Sequence, residues 1–114
     1  MTVDQVRRLC LSFPHTTESV QWGSNLVFKI AGKMYAVADL EPSRTWLGFK
    51  CTPEEFAELV ERPGIVPAPY LARAHWASLE TADALPQPEL HRLLRQAYDI
   101  VTAKLPKKVR DGLR

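Results

Sequence analysis

The chain has 114 residues, 46% of them hydrophobic and 25% charged, with a formal net charge of +2. That length bounds the molecule to one domain, 1–114, large enough to bury roughly two-thirds of its unfolded surface without disulfide or metal staples. The composition is that of an ordinary globular domain, and so small a charge does not by itself mark a nucleic-acid binder.

The charge is unevenly placed. Residues 1–61 hold six Lys/Arg and eight Asp/Glu, a net of −2, whereas residues 62–114 hold nine and five, a net of +4. The two cysteines, Cys10 and Cys51, have no Cys or His neighbour at zinc-ligand spacing. They read as small buried hydrophobes in a reducing compartment, with no metal and no cofactor expected. The N-terminal segment has no basic-then-apolar leader, and no apolar run approaches the ~18 residues of a membrane span. The expectation is a cytoplasmic protein without membrane contact.

Thr2 opens the first helix, with Gln5 as its capping-box partner. Val6, Leu9, Cys10 and Phe13 then recur at helical spacing until Pro14 stops the run. Residues 19–22 read as a short strand ending at Gly23. Alternation predicts strands over 26–30 and 34–40, joined by Gly32-Lys33 as a two-residue type II′ loop. That register sets Ile30 opposite Tyr35, Phe28 opposite Val37 and Lys29 opposite Ala36. After a turn at 41–44, a further strand is predicted over 45–51.

Thr52-Pro53-Glu54-Glu55 is a strong helix start, with Thr52 as N-cap, Pro53 in the first turn and Glu55 completing a capping box. Phe56, Leu59 and Val60 form its apolar stripe, and Glu54, Glu55, Glu58 and Glu61 its solvated face. Pro67 and Pro69 impose an extended or turning segment. A strand is predicted over 75–80. Pro88 opens a long helix in which Leu90, Leu93, Leu94, Ala97, Val101 and Leu105 keep the 3.6 period, and Pro106 ends it before a basic tail. The result is a single α+β domain, an antiparallel β-meander with helices packed mainly on one face.

No catalytic constellation is visible. His75 has no nucleophile, paired carboxylate or metal ligand beside it in sequence, and His15 and His91 fall on a turn and a helix face. No serine sits in a Gly-x-Ser-x-Gly elbow, and no Gly-rich loop opens a helix. The protein is expected not to be an enzyme. Trp22, Trp46 and Trp76 offer base-stacking surfaces, but at least two are expected to be buried or half-buried in a domain this small.

Strand parity gathers Val27, Lys29, Ala36, Ala38, Trp46, Gly48 and Lys50 on one sheet face. Such a floor suits a phosphate backbone, a peptide or a closely packed helix, and parity alone leaves these uses open. Lys33 and Arg44 are expected at exposed turns. Lys29, Lys33, Arg44 and Lys50 are therefore the candidate phosphate contacts, converging on one edge and face of the meander. A secondary basic group comprises Arg92, Arg95, Lys107 and Lys108, with Lys104, Arg110 and Arg114 beside them.

Several short stretches carry a family likeness. They are Trp22-Gly23, Gly32-Lys33-Met34-Tyr35-Ala36, Gly48-Phe49-Lys50-Cys51, and the run from Ile65 through Pro67-Ala68-Pro69-Tyr70 into His75-Trp76. In order and spacing they resemble the MmcQ/YjbR family over nearly the whole chain. Ala97-Tyr98 departs by one hydroxyl from the Ser-Tyr of many members. The resemblance implies a double-wing α+β fold likened to type III secretion chaperones, without established catalytic residues. It implies a non-catalytic protein binding double-stranded DNA through hairpin wings, by phosphate electrostatics. The alternative is a chaperone-like protein–protein interaction module with no nucleic-acid role.

Overall fold

The computed structural model describes residues 1–113, so Arg114 lies outside the described residues. Helix α1 (Val3–Ser12) starts where the sequence places it. The Thr2 hydroxyl accepts from Gln5 N at 3.2 Å and the Gln5 side chain accepts from Thr2 N at 2.9 Å, closing the capping box. Helix α2 (Pro53–Leu59) is capped by Thr52, whose hydroxyl accepts from Glu55 N at 3.1 Å. The Glu55 carboxylate itself accepts from Arg92 on α3 (Gln87–Ala103), so the residue expected to close the box ties two helices together.

Six strands form one antiparallel sheet: β1 (Thr16–Gln21), β2 (Asn25–Ile30), β3 (Lys33–Asp39), β4 (Leu47–Lys50), β5 (Ile65–Pro67) and β6 (Trp76–Leu79). Their order is β1-β2-β3-β4-β6-β5. The first four are the expected meander. β6 then inserts between β4 and β5, leaving Pro67 on an edge strand, where its missing N–H breaks no interior ladder.

The β2–β3 register differs from the sequence expectation. The turn is Ala31-Gly32, both at positive φ (50° and 78°), the signature of type I′ rather than II′. Ile30 therefore pairs with Lys33 and Lys29 with Met34, and the ladder slips so that Phe28 pairs with Ala36. Tyr35 is the extra residue of this bulge. One added residue reverses parity. Ala36 and Ala38 consequently join the helix-side core instead of the outer face, and Met34, Val37 and Asp39 take the outward positions.

The core lies on the helix side. Phe28, Ile30, Tyr35, Leu47 and Phe49 from the sheet meet Val6 and Cys10 of α1 and Leu90, Leu93, Leu94 and Ala97 of α3. Helix α3 crosses β3 and β4, leaving the opposite face of these strands free of helix. Leu105 stays buried although α3 ends at Ala103. The expected basic tail is a short helix, α4 (Lys107–Gly112). His75 is not on a strand: it caps the 3-10 turn Ala72–Ala74 at φ 60°, and β6 begins one residue later. Among the described residues no helix is long and apolar enough to cross a membrane.

Candidate binding groove

The helix-free face of the sheet is concave. Val37, Gly48 and Ser78 floor a groove of about 600 Å³. A Cβ built on Gly48 would lie 3.1 Å from the Ser78 hydroxyl oxygen, so the depth of the floor depends on a missing side chain. Trp46 forms one wall, and its indole nitrogen donates to Thr81 O at 2.9 Å, which fixes the ring. Residues 68–71 form another. Ala68 N donates to Trp76 O at 2.9 Å and Trp76 N to Leu71 O at 3.3 Å, pinning this Pro-containing segment beside β6. Trp76 is 4% exposed between the segment and the floor.

Two aromatic residues lining the groove are not buried by the fold. Trp22, at the β1–β2 turn, is 68% exposed, and Tyr70 is fully exposed. Both hold left-handed backbone, at φ 52° and 64°, where a bulky side chain is an outlier. Asp39 is the one charged residue among those lining this groove, beside the polar Asn25, Ser43, Thr45 and Ser78. Its carboxylate accepts from the Ser24 hydroxyl at 3.3 Å.

A second cleft of about 410 Å³ adjoins the first and shares Met34, Leu71 and Trp76 with it. Lys33, Lys50 and Lys104 line it with Val101, Leu105 and Pro106. The Lys50 ammonium donates to Ala74 O, and its pKa is held below the usual lysine value by burial first and by the Lys104 charge second.

Of the four candidate phosphate contacts, only Lys33 and Lys50 come together. Arg44 follows Asp39 at the far end of β3, on the order of 20 Å from Lys33 at ~3.3 Å per strand residue. There it approaches Glu80 at 4.0 Å. Lys29 is half-buried on β2, opposite Thr17 and Met34, and does not line the lysine cleft. The expected convergence on one edge fails because the β2–β3 turn and the β3–β4 loop lie at opposite ends of β3. In the secondary group, Arg92 is bound to Glu55 at 3.0 Å and Arg95 to Asp99 at 3.1 Å, with the Arg95 guanidinium over the rings of Phe13 and Tyr98. Lys107 and Lys108 are exposed in the first turn of α4, directly after Pro106 of the lysine cleft.

No histidine or cysteine lines either of these two clefts. The His75 ring packs edge-on against Phe56 at 5.5 Å. Burial pushes the Cys10 thiol up to about 12 and the Cys51 thiol up to about 11, which disfavours thiolate at neutral pH. Sequence reasoning used Tyr70 only as part of the family likeness, and it missed Asp39 and the partnership of Lys104 with Lys50. Trp22 before Gly23, and Tyr70 after two prolines, were signals of aromatic residues at turns.

Comparison with known proteins agrees with this architecture. An Escherichia coli K12 protein named uncharacterized protein YjbR is 25% identical, over 96% of this chain and 95% of its own length. The crystal structure of Deinococcus radiodurans DR2400, a DUF419 domain, is 33% identical with a TM-score of 0.88, covering 98% of this chain and 87% of that one. A Pseudomonas syringae structure, at 22% identity and a TM-score of 0.71 over 88% of this chain and 98% of its own, shares the fold. The YjbR family model matches residues 11–100, most of the chain including both groove walls, and the chain belongs to the YjbR family.

Proposed function

We propose that the protein is a non-catalytic interaction module that holds an extended segment of a partner protein in its outer groove. The observation that carries this reading is the pair of exposed, left-handed aromatics, Trp22 and Tyr70, lining the groove. Left-handed backbone also occurs outside the groove, at His15, Ala31 and His75, so what sets Trp22 and Tyr70 apart is that their large rings stay exposed. Folding leaves both rings in water, whereas a bound partner would cover them. Covering both removes on the order of 300 Å² from water, a gross gain of about 7 kcal/mol before association costs. The Asp39 carboxylate and the absence of Lys or Arg among the lining residues favour a neutral or cationic occupant over a polyanion here.

The test is selection from a phage-displayed peptide library on the purified protein, followed by titration of the selected peptides. Peptides that bind the wild type and lose at least tenfold affinity for the Trp22→Ala/Tyr70→Ala double variant support the reading. Failure to enrich any peptide, or equal binding to the variant, refutes it.

A second reading, phosphate-backbone binding of double-stranded DNA, is supported by one observation. Lys33, Lys50 and Lys104 share a cleft, and Lys107 and Lys108 follow at its rim. Its measurable consequence is a log affinity for unrelated duplexes that falls linearly with log salt, by about 0.9 per phosphate contact. Undetectable binding at low salt removes it.

A further inference from the structure

We propose that the two adjoining clefts act as one polar track: a peptide lies along β3 with apolar side chains in the aromatic half and a carboxylate end against Lys33, Lys50 and Lys104. This inference rests on the peptide-binding reading and adds direction and end-group chemistry to it. Both clefts border Met34, Leu71 and Trp76, so an occupant passes from one to the other across shared side chains. The track follows β3: Asp39 lines the aromatic half, Met34 the junction and Lys33 the lysine half. The six steps from Lys33 to Asp39 at ~3.3 Å each give roughly 20 Å, the reach of an extended hexapeptide.

Charge sets the direction. Three lysines line one half and a single carboxylate the other. Among the described residues, every ion pair within 4.0 Å uses an arginine, so the three ammoniums have no internal carboxylate partner. Lys50 spends one of its three N–H groups on Ala74 O and keeps two for an incoming acceptor. Lys50 and Lys104 line one cleft, and the Lys50 pKa is lowered by burial first and by the Lys104 charge second. Leu71, Trp76, Leu105 and Pro106 line the same cleft, and such apolar walls strengthen a charge pair relative to one in bulk water. A peptide docked in reverse would place its acidic end beside Asp39 and lose these contacts. Acidic side chains and a free chain terminus present the same carboxylate chemistry.

The experiment is fluorescence anisotropy with N-terminally labelled hexapeptides. Their first four positions sample Leu, Ile, Phe and Trp, and their last two are Glu-Glu, Gln-Gln or Lys-Lys, each with a free or amidated C-terminus. Hexathymidylate is a further arm. The expected result is roughly tenfold tighter binding of the carboxylate-ended peptides than of amidated Gln-Gln, the sum of two partly screened charge pairs. That advantage should vanish in Lys33→Gln/Lys104→Gln, two exposed positions, with an unchanged melting curve as the folding control. An advantage that persists with amidated Glu-Glu assigns the site to acidic side chains, and one confined to free termini assigns it to the chain end. Equal binding of all charge classes, or an advantage that survives the double substitution, overturns the polar track while leaving peptide binding intact. No binding by any peptide overturns both, as does hexathymidylate binding more tightly than every peptide.

Discussion

Trp76 separates the residues that build the groove from those that serve its occupant. It stands on β6 on the helix-free side of the sheet, 4% exposed, and is not part of the helix-side core. A buried indole removes on the order of 200 Å² from water, a transfer gain of about 5 kcal/mol that is an upper bound against an extended reference chain. The hole left by Trp76→Ala opens onto both clefts, so water refills it and the cavity penalty is small. The expected loss is therefore about 3–4 kcal/mol, near the lower end for a large-to-small aromatic change. For a domain of this size that corresponds to a fall in Tm of roughly 10–20 °C. Residues 68–71 should also loosen, because they share the groove lining with the indole that the change removes, even though their backbone bonds to residue 76 remain. Thermal melts followed by circular dichroism, with amide exchange at Ala68, check both effects. A variant that melts within about 2 °C of wild type refutes the reasoning.

Trp22→Gly should leave stability unchanged or raise it by about 1 kcal/mol, since glycine accepts positive φ without strain, while peptide affinity falls; a destabilisation above that size would show that the ring packs in the folded protein. If duplex DNA binds at all, Lys33→Glu and Lys104→Glu should weaken it on unrelated sequences by similar factors and Arg44→Glu should not, with folding changed by less than about 0.5 kcal/mol. Equal losses from Arg44→Glu would mean a footprint spanning both ends of β3. The Arg62–Glu89 pair, bonded at 2.8 and 2.9 Å, holds the Glu89 carboxyl below its ordinary value, through the hydrogen bond to Arg62 above all. A depressed folded-state pKa stabilises above the unfolded value of 4.5 and is lost as pH falls through the lower folded value. Arg62→Met should therefore cost about 1 kcal/mol at neutral pH and progressively less in acid; a gap in urea midpoints that stays constant down to pH 2 would rule that pair out as its source.

Much of the fold was legible because it rests on local rules. Thr2 with Gln5, Thr52 with Pro53, and the apolar stripe of α3 state their structure within a few residues. The sheet register was not legible, for a physical reason. Gly32-Lys33 and Ala31-Gly32 both make short turns, and the choice is settled by strand twist and by where Tyr35 fits. Tyr35 reaches the core, where its hydroxyl lies 3.0 Å from the Thr16 hydroxyl and its ring meets Phe13 and Tyr98. Placing Tyr35 and Ala36 together on the helix side needs the bulge, and the bulge reassigns every outward position of β3 beyond it.

That reassignment explains why the candidate site had to change. With Ala36 and Ala38 outward, the face would have been a flat floor ringed by lysines. With Val37 and Asp39 outward instead, the floor over Gly48 carries an acidic end, and the basic end lies where Lys33, Lys50 and Lys104 meet, near the β2–β3 turn. The charge imbalance between the two halves of the sequence reaches the same place from the other side. Lys104 belongs to the basic C-terminal half, and packing of α3 on β3 and β4 carries it to the Lys50 end of the sheet. A net charge of +2 averages over this separation. What an incoming partner meets is three ammoniums at one end of β3 and a carboxylate at the other, with two exposed aromatic rings lining the groove, an arrangement that recognises a polar sequence of groups better than a uniform polyanion.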